Sequence, residues 1–450
     1  MIGLIYSFYT NFIMKMKLPL PKPPIKRQQK TQNIAALNKK LEQLSKTFRA
    51  KISVGDYATA YAVISEAFQI VPNNQAVLMD LAFTELRLHK YDAAYQHYLK
   101  AIKQSGANVD TNIYDGMAEV CHFLENAEET RKYGALAIET KIQQVQNEPV
   151  VATISNAAPA FDPTDPNRNI IAYSLFGGLP RYCETSLINV DLCKEIYPEW
   201  TCRFYVDQSV PEHIRQRLEE KGAQVVLVTE KQKEISGLFW RFFVMDDPEV
   251  KHFLIRDADS LVSYREKAAV DEWLKSGKWF HTMRDFYSHT ELILAGMWGG
   301  AQGVFKGIEQ HIRQYIQTGR FLNNRVMDQH YLRYCVYPTI AQSVMAHDSQ
   351  GFEKAGQPFP SHSKQTDFEN LSQFHIGMNE GSSAIGVQVK HPTATKVKWE
   401  LLDEHAKVVC SYDADVLASR IIEVDIPRRY ARKIESKDWT VTIYPYINSD

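Results

Sequence analysis

The chain has 450 residues, with 52 basic and 53 acidic side chains and a formal net charge of −1. That balance excludes bulk electrostatic binding of nucleic acid or another polyanion as its organising function. At roughly 100–200 residues per domain the length predicts two to four domains, and a 44% hydrophobic content supplies their cores.

The first stretch, "MIGLIYSFYTNFIMKMKLPLPKPPIKRQQK", has an apolar part interrupted by Ser7, Thr10 and Asn11. It falls short of the roughly 20 apolar residues a membrane span needs. Residues 1–30 read as a leader and linker, with peripheral attachment to a membrane surface as the alternative. The six cysteines form no CxxC pair, which fits a reduced, cytoplasmic compartment.

Residues 31–146 read as helical. "GDYATAYAVISEAFQIVPNN" and "HKYDAAYQHYLKAIKQSGAN" begin 34 residues apart, aligning Tyr57 with Tyr91, Ala60 with Ala94, Tyr61 with Tyr95 and Ala67 with Ala101. A weaker third copy keeps Ala127 and Ala137. A 34-residue period with small residues at helix contacts resembles the tetratricopeptide repeat, two antiparallel helices per unit. Such stacks bind chains along a groove, so a partner protein, an acceptor or self-association is expected. Residues 147–168, rich in proline, read as a linker.

From Asn169 apolar runs alternate with amphipathic ones. "IIAYSLF", "TCRFYVD", "AQVVLV", "HFLIRDADS" and "KWFHTMRD" read as strands; "CETSLINVDLCKEIY", "PEHIRQRLEEKG", "GLFWRFFVM" and "REKAAVDEWLKSG" read as helices. This predicts an open, mainly parallel α/β sheet over 169–384, with its ligand site beyond the carboxyl ends of the strands. Neither GxGxxG nor GxxxxGK[ST] occurs where a dinucleotide or P-loop site needs it. Residues 385–450 alternate in the strand period and read as a small β-rich accessory domain.

Asp257 and Asp259 follow the fourth strand directly. Carboxylates at i and i+2 past a strand can both reach one Mg²⁺ or Mn²⁺, whose open positions suit diphosphate oxygens. "FLIRDADS" after "YSLFGG", together with "LAGMWGG", "MDQHYLRYCVYP" and "AHDS", resembles DxD-containing, nucleotide-sugar-dependent glycosyltransferases of the GT-A fold. The likeness covers Asn169 to Gly377 and includes a bacterial and viral group of such enzymes and, more distantly, the glycogenin-like family.

The resemblance implies a Rossmann-type mixed sheet, a UDP-sugar donor, a saccharide or protein acceptor and a place in bacterial surface glycan synthesis. It makes Asp257 and Asp259 the residues for metal and donor phosphate, with His347 or His375 as a third ligand. Leu175, Phe176 and Gly177 would border the nucleotide base. Arg241 would reach a phosphate or a carboxylate, Arg256 would form a salt bridge inside the site or help neutralise phosphate, and Trp298 would stack on a sugar or pack. Gly296, Gly299 and Gly300 would let backbone approach the sugar. Asp328, Asp285 and Glu291 are the candidates for the acceptor base. A nucleotidyl- or phosphotransferase using the same aspartates, and a non-catalytic repeat scaffold, are the competing readings.

Overall fold

A computed structural model describes residues 25–106, 109–320 and 326–446; most of the leader falls outside them. The first helix, α1 (Ile25–Ser53), opens earlier than Thr31, the expected start of the helical region. It is followed by α2 (Tyr57–Ile70), α3 (Gln75–Arg87), α4 (Tyr91–Ser105), α5 (Thr111–Phe123) and α6 (Ala127–Val145). The 34-residue offset read from the sequence is the offset between the starts of α2 and α4.

An Asx side chain closes the first turn at four of these starts: Asp56, Asn74, Asp110 and Asn126 each accept a backbone N–H. Ala60, Ala94, Ala101 and Ala137 are fully buried where neighbouring helices meet. Ala127 of the third copy is exposed at its helix start.

The α/β region runs β1 (Asn169–Leu175), α7 (Pro180–Ile196), β2 (Thr201–Val206), α8 (Glu212–Glu220) and β3 (Gln224–Leu227). A 3₁₀ helix (Gly237–Asp246) stands where a helix was expected. Then come β4 (His252–Arg256), α9 (Tyr264–Lys275), β5 (Phe280–Arg284), β6 (Met297–Ala301), α10 (Ile308–Thr318), α11 (Met327–Tyr331), α12 (Tyr337–Ile340) and β7 (Val344–Asp348).

The seven strands form one mixed sheet in the order β3-β2-β1-β4-β6-β5-β7. Only β6 runs antiparallel, against both β4 and β5. All residues of β4 are buried and nearly all of β1, as expected of central strands covered on both faces.

β6 is a strand that the sequence reading does not name. In "GMWGG", whose glycines are expected to let backbone approach a sugar, Gly299 and Gly300 lie within the strand. A Cβ at Gly299 would meet the Phe253 carbonyl oxygen at 2.5 Å, and one at Gly300 the Phe280 ring at 2.5 Å. These glycines serve close packing inside the sheet.

The C-terminal strands are β8 (Gly381–Gln388), β9 (Lys396–Leu402), β10 (Val408–Asp415) and β11 (Ile421–Pro427), then α13 (Arg428–Glu435) and β12 (Thr440–Pro445). β8 pairs with β11, and β9 sits between β10 and β12, all antiparallel. Val397, Trp399 and Leu401 alternate inward and join the core beneath α7 and α8. Glu184 of α7, fully buried, accepts from Arg217, Tyr412 and Tyr430. The β-rich region is thus a layer on one face of the α/β sheet, sharing its core.

Candidate functional site

Strand order reverses direction at β1. The chain steps outward from β1 to β2 and β3, then returns to place β4 on the other side. A crevice at such a switch point, outside the carboxyl ends of the strands, is where open α/β sheets bind ligands. Ala172 of β1 is opposite Ile255 of β4, so the Phe176–Gly177 turn and the Asp257–Asp259 turn leave the sheet side by side. The carboxyl ends of β5 and β7 and the start of β6 open on the same edge.

Asp257 is 43% exposed on its side chain and is paired with Arg241 behind it. Arg241, buried on the 3₁₀ helix, also donates to Asp328 at 2.9 Å and to the Arg256 carbonyl at 3.2 Å. One guanidinium thus serves two carboxylates. Burial pushes the Asp328 carboxyl up, while Arg241 opposes that shift.

A Cβ at position 296 would lie 2.0 Å from Asp257 Oδ2, so Gly296 admits the carboxylate where sequence reasoning had it admit a sugar. Asp259 is half-buried, and burial and the neighbouring charge of Asp257 push its carboxyl up to about 6. Asn379 donates to Asp259 Oδ2 at 2.5 Å, and Glu380 N–H to the Asp259 carbonyl at 2.7 Å. Arg181, in the first turn of α7, draws the same carboxyl down. Sequence reasoning missed Arg181, Asn379 and Glu380; nothing local marks Asn379, which meets Asp259 across 120 residues of chain.

Phe176 is 44% exposed just past the carboxyl end of β1, edge-on to Trp240 at 5.7 Å. Leu175 is buried as the last residue of β1. Gly177, at φ +77°, turns the chain and donates its N–H to Ser209 Oγ at 2.7 Å.

Other candidates are committed elsewhere. Arg256 points to the opposite face of β4 and donates to buried Glu266 at 3.1 Å and to the Trp298 carbonyl at 3.1 Å; it meets no crevice. Trp298 is fully buried against Phe253 and Phe242, which leaves no face for a sugar. Glu291 is clasped by Arg333 and lies 3.6 Å from Lys141 of α6, and those cations hold its carboxyl down. Asp285 accepts two bonds from Arg265, at 3.0 and 2.7 Å, and one from Ile376 N–H.

His347 is fully buried, with one ring nitrogen 2.8 Å from His281 and the other 3.1 Å from Glu272. Both nitrogens are taken, so the structure does not bring it to the aspartates. His375 lies on the segment that runs along them: Gly377 accepts from Ser260 Oγ at 3.1 Å, two residues further on. It stacks on Phe286 at 3.7 Å and bonds the Gln373 carbonyl with one nitrogen.

Among the described residues no group of three or more His, Cys, Asp or Glu side chains is placed to hold a metal ion. Asp257 and Asp259 are close enough for the charge of one to act on the other. No described helix is long and apolar enough to cross a membrane.

No protein-family model matches the chain, and no curated protein matches it either. Solved structures with partial likeness include an O-GlcNAc transferase mutant from Thermobaculum terrenum: 13% identity over 43% of this chain and 42% of that one, TM-score 0.23. Another is the 4-diphosphocytidyl-2C-methyl-D-erythritol synthase from Anaerococcus prevotii: 10% identity, 41% and 88%, TM-score 0.25. A third is the mannosyltransferase Ktr4p from S. cerevisiae in complex with GDP: 9% identity, 35% and 50%, TM-score 0.18. The chain therefore spans less than half of the first of these. Scores this low carry no argument about activity.

Proposed function

We propose that this chain is a glycosyltransferase that moves a sugar from a nucleoside diphosphate sugar, a UDP-sugar in the first instance, to a saccharide or protein acceptor. The observation that carries the reading is the position of Asp257 and Asp259. They stand together at the switch point of a mixed sheet, beside the exposed ring of Phe176 and backed by Arg241. The sequence resemblance of "FLIRDADS" and its flanking blocks to GT-A enzymes supports it.

In this reading Phe176 offers a stacking face to the base and the crevice admits the diphosphate. Asp257 and Asp259 would hold Mn²⁺ or Mg²⁺, and the cation would supply charge neutralisation for a departing diphosphate. Arg241 fixes the Asp257 carboxylate, and Asp328 fixes Arg241; Asp328 is a positioning residue. His375 is the candidate for a further contact with donor or cation. Asp285 and Glu291 are held in ion pairs, so neither is offered as the acceptor base.

Calorimetry with UDP, GDP and CMP, with and without Mn²⁺, tests the reading, paired with product analysis on nucleotide sugars. Metal-dependent UDP binding and UDP release support transfer of the sugar. Release of pyrophosphate would instead mark a nucleotidyltransferase. A folded protein that binds no nucleotide with metal present would refute both.

A further inference from the structure

Away from the sheet, the helical region contains a cavity of about 240 Å³ between α2, α3, α4 and α5. Its floor holds two polar groups without partners. Asp80 is 4% exposed, and its carboxylate has no hydrogen-bond or ion-pair partner among the described residues. Tyr98 is 1% exposed, and its hydroxyl likewise has none. Both line the cavity, with the rings of Tyr57 and Phe83 and the Arg87–Glu119 ion pair.

Gly116 is what lets the phenol end of Tyr98 lie there, since a Cβ would meet its hydroxyl at 2.3 Å. Burial pushes the Asp80 carboxyl up to about 8, against the pull of Arg49 and with the push of Asp110. Ionising a carboxyl buried this deeply costs several kcal/mol in a typical protein, and Arg49 offsets only part of that, so a second cation in the cavity would favour the charged form.

We propose that this cavity binds the guanidinium or ammonium of an arginine or lysine side chain belonging to an extended polypeptide. A cation would offset the charge of Asp80 as it ionises and is drawn to the rings of Tyr57 and Tyr98, the Phe83 ring already carrying the Arg87 guanidinium at 5.2 Å. An anion would meet Asp80 and Glu119, with Arg87 already paired to Glu119, and a neutral hydroxylated ligand would do nothing to let Asp80 ionise.

The surface argues for a chain over a free amine. The phenol of Tyr287 lies near enough to the cavity to feel the charges of both Glu119 and Arg87. From there half-exposed rings continue in contact. Tyr91 stacks on Phe123 at 4.8 Å, Phe123 is edge-on to Tyr287 at 5.5 Å, Tyr287 meets Phe286 at 4.1 Å, and Phe286 stacks on His375 at 3.7 Å. A polypeptide anchored in the cavity would lie along these rings toward Asp257 and Asp259. That last step, which makes the polypeptide the acceptor, rests on the transferase reading; the cavity's ligand chemistry does not.

The test is calorimetry on the full chain with glycine–serine peptides bearing a single arginine, lysine or citrulline, with free arginine amide and a neutral oligosaccharide as further arms. Binding of the two cationic peptides is expected, with at least a tenfold loss for citrulline and for the Asp80→Asn variant. That variant should keep donor binding and melt no lower than the parent. Four results overturn the proposal: equal binding by Asp80→Asn, binding of arginine amide but of no peptide, preference for the oligosaccharide, or a lower melting temperature for Asp80→Asn. Donor-dependent turnover without peptide binding would remove the anchor and leave the transferase standing. Peptide binding without nucleotide binding would do the reverse.

Discussion

Arg241 holds Asp328 at 2.9 Å with the guanidinium nitrogen that Asp257 leaves over. The arginine is buried, and so is Asp328, so neither charge is supported by water. Replacing Arg241 with Met leaves two carboxylates facing each other without a cation, and a loss of roughly 3–5 kcal/mol in urea unfolding is expected. Asp328→Asn keeps a hydrogen-bond acceptor of the same shape and should unfold within about 1.5 kcal/mol of the parent, while kcat falls because Arg241 no longer fixes Asp257. A variant with full kcat would show that Asp328 positions nothing.

Asp257→Asn and Asp259→Asn should each abolish the Mn²⁺ dependence of UDP binding. A kcat loss of about 10²-fold or more is expected, the scale reached when one preorganised partner of a developing charge is removed. Stability should change little at Asp259, whose carboxyl is already disfavoured as a charge by burial and by Asp257. Chelation of divalent ions should reproduce the effect of both substitutions on UDP affinity. UDP binding that survives the chelator would remove the cation from the mechanism.

His347 and His375 separate cleanly by readout. His347→Ala removes a buried bridge between His281 and Glu272, so it should lower the melting temperature while Mn²⁺-dependent UDP affinity holds. His375→Ala touches a half-exposed ring beside Phe286, so it should weaken ligand binding with little effect on melting. The opposite pattern would restore His347 as the ligand.

These two histidines also show where reading the sequence succeeds and stops. The alternation of strands and helices, the strand that carries Asp257 and the 34-residue offset were legible, because each is a local period in the chain. The face on which a side chain emerges was legible only in part. Arg256 and Asp257 are neighbours whose side chains part, Arg256 to the buried ion pair with Glu266 and Asp257 to Arg241, and the sequence left Arg256 open between an ion pair and phosphate. Trp298 and the glycines beside it give no strand period of their own, because β6 is short and runs antiparallel between two parallel neighbours. The partners of Asp259 come from Asn379 and Glu380, brought by tertiary folding that no local spacing encodes.

Lys141 joins the helical region to the sheet. It is fully buried on α6 and donates to Asp115 at 2.6 Å and to the Thr290 carbonyl at 2.9 Å, in the loop that precedes β6. Lys141→Met leaves the Asp115 carboxyl buried without its cation, with Thr290 as its remaining hydrogen-bond partner and an expected cost of roughly 3–5 kcal/mol. The double change Lys141→Met with Asp115→Leu removes both charges and should recover most of it. Urea denaturation of the single and double variants measures the difference. Equal instability of the two would mean that packing, not charge, is at stake.

The Asp80 cavity sets a pH dependence of opposite sign to that of a salt-bridged carboxylate. Burial raises the folded carboxyl from 3.8 to about 8, Arg49 and Asp110 being the charges that act on it. Between those values the folded chain binds a proton that the unfolded chain has released. Stability from this group is therefore complete below about pH 4 and falls as pH rises toward 8, because the folded state must then give up the proton or carry a buried charge. Asp80→Asn removes the titration, so its melting advantage over the parent should grow from pH 4 to pH 8 and level off above. A saturating arginine peptide should shrink that slope in the parent alone, since a bound cation lets the carboxylate ionise in place. A difference between parent and variant that does not change with pH would mean that Asp80 is charged, and therefore paired, throughout.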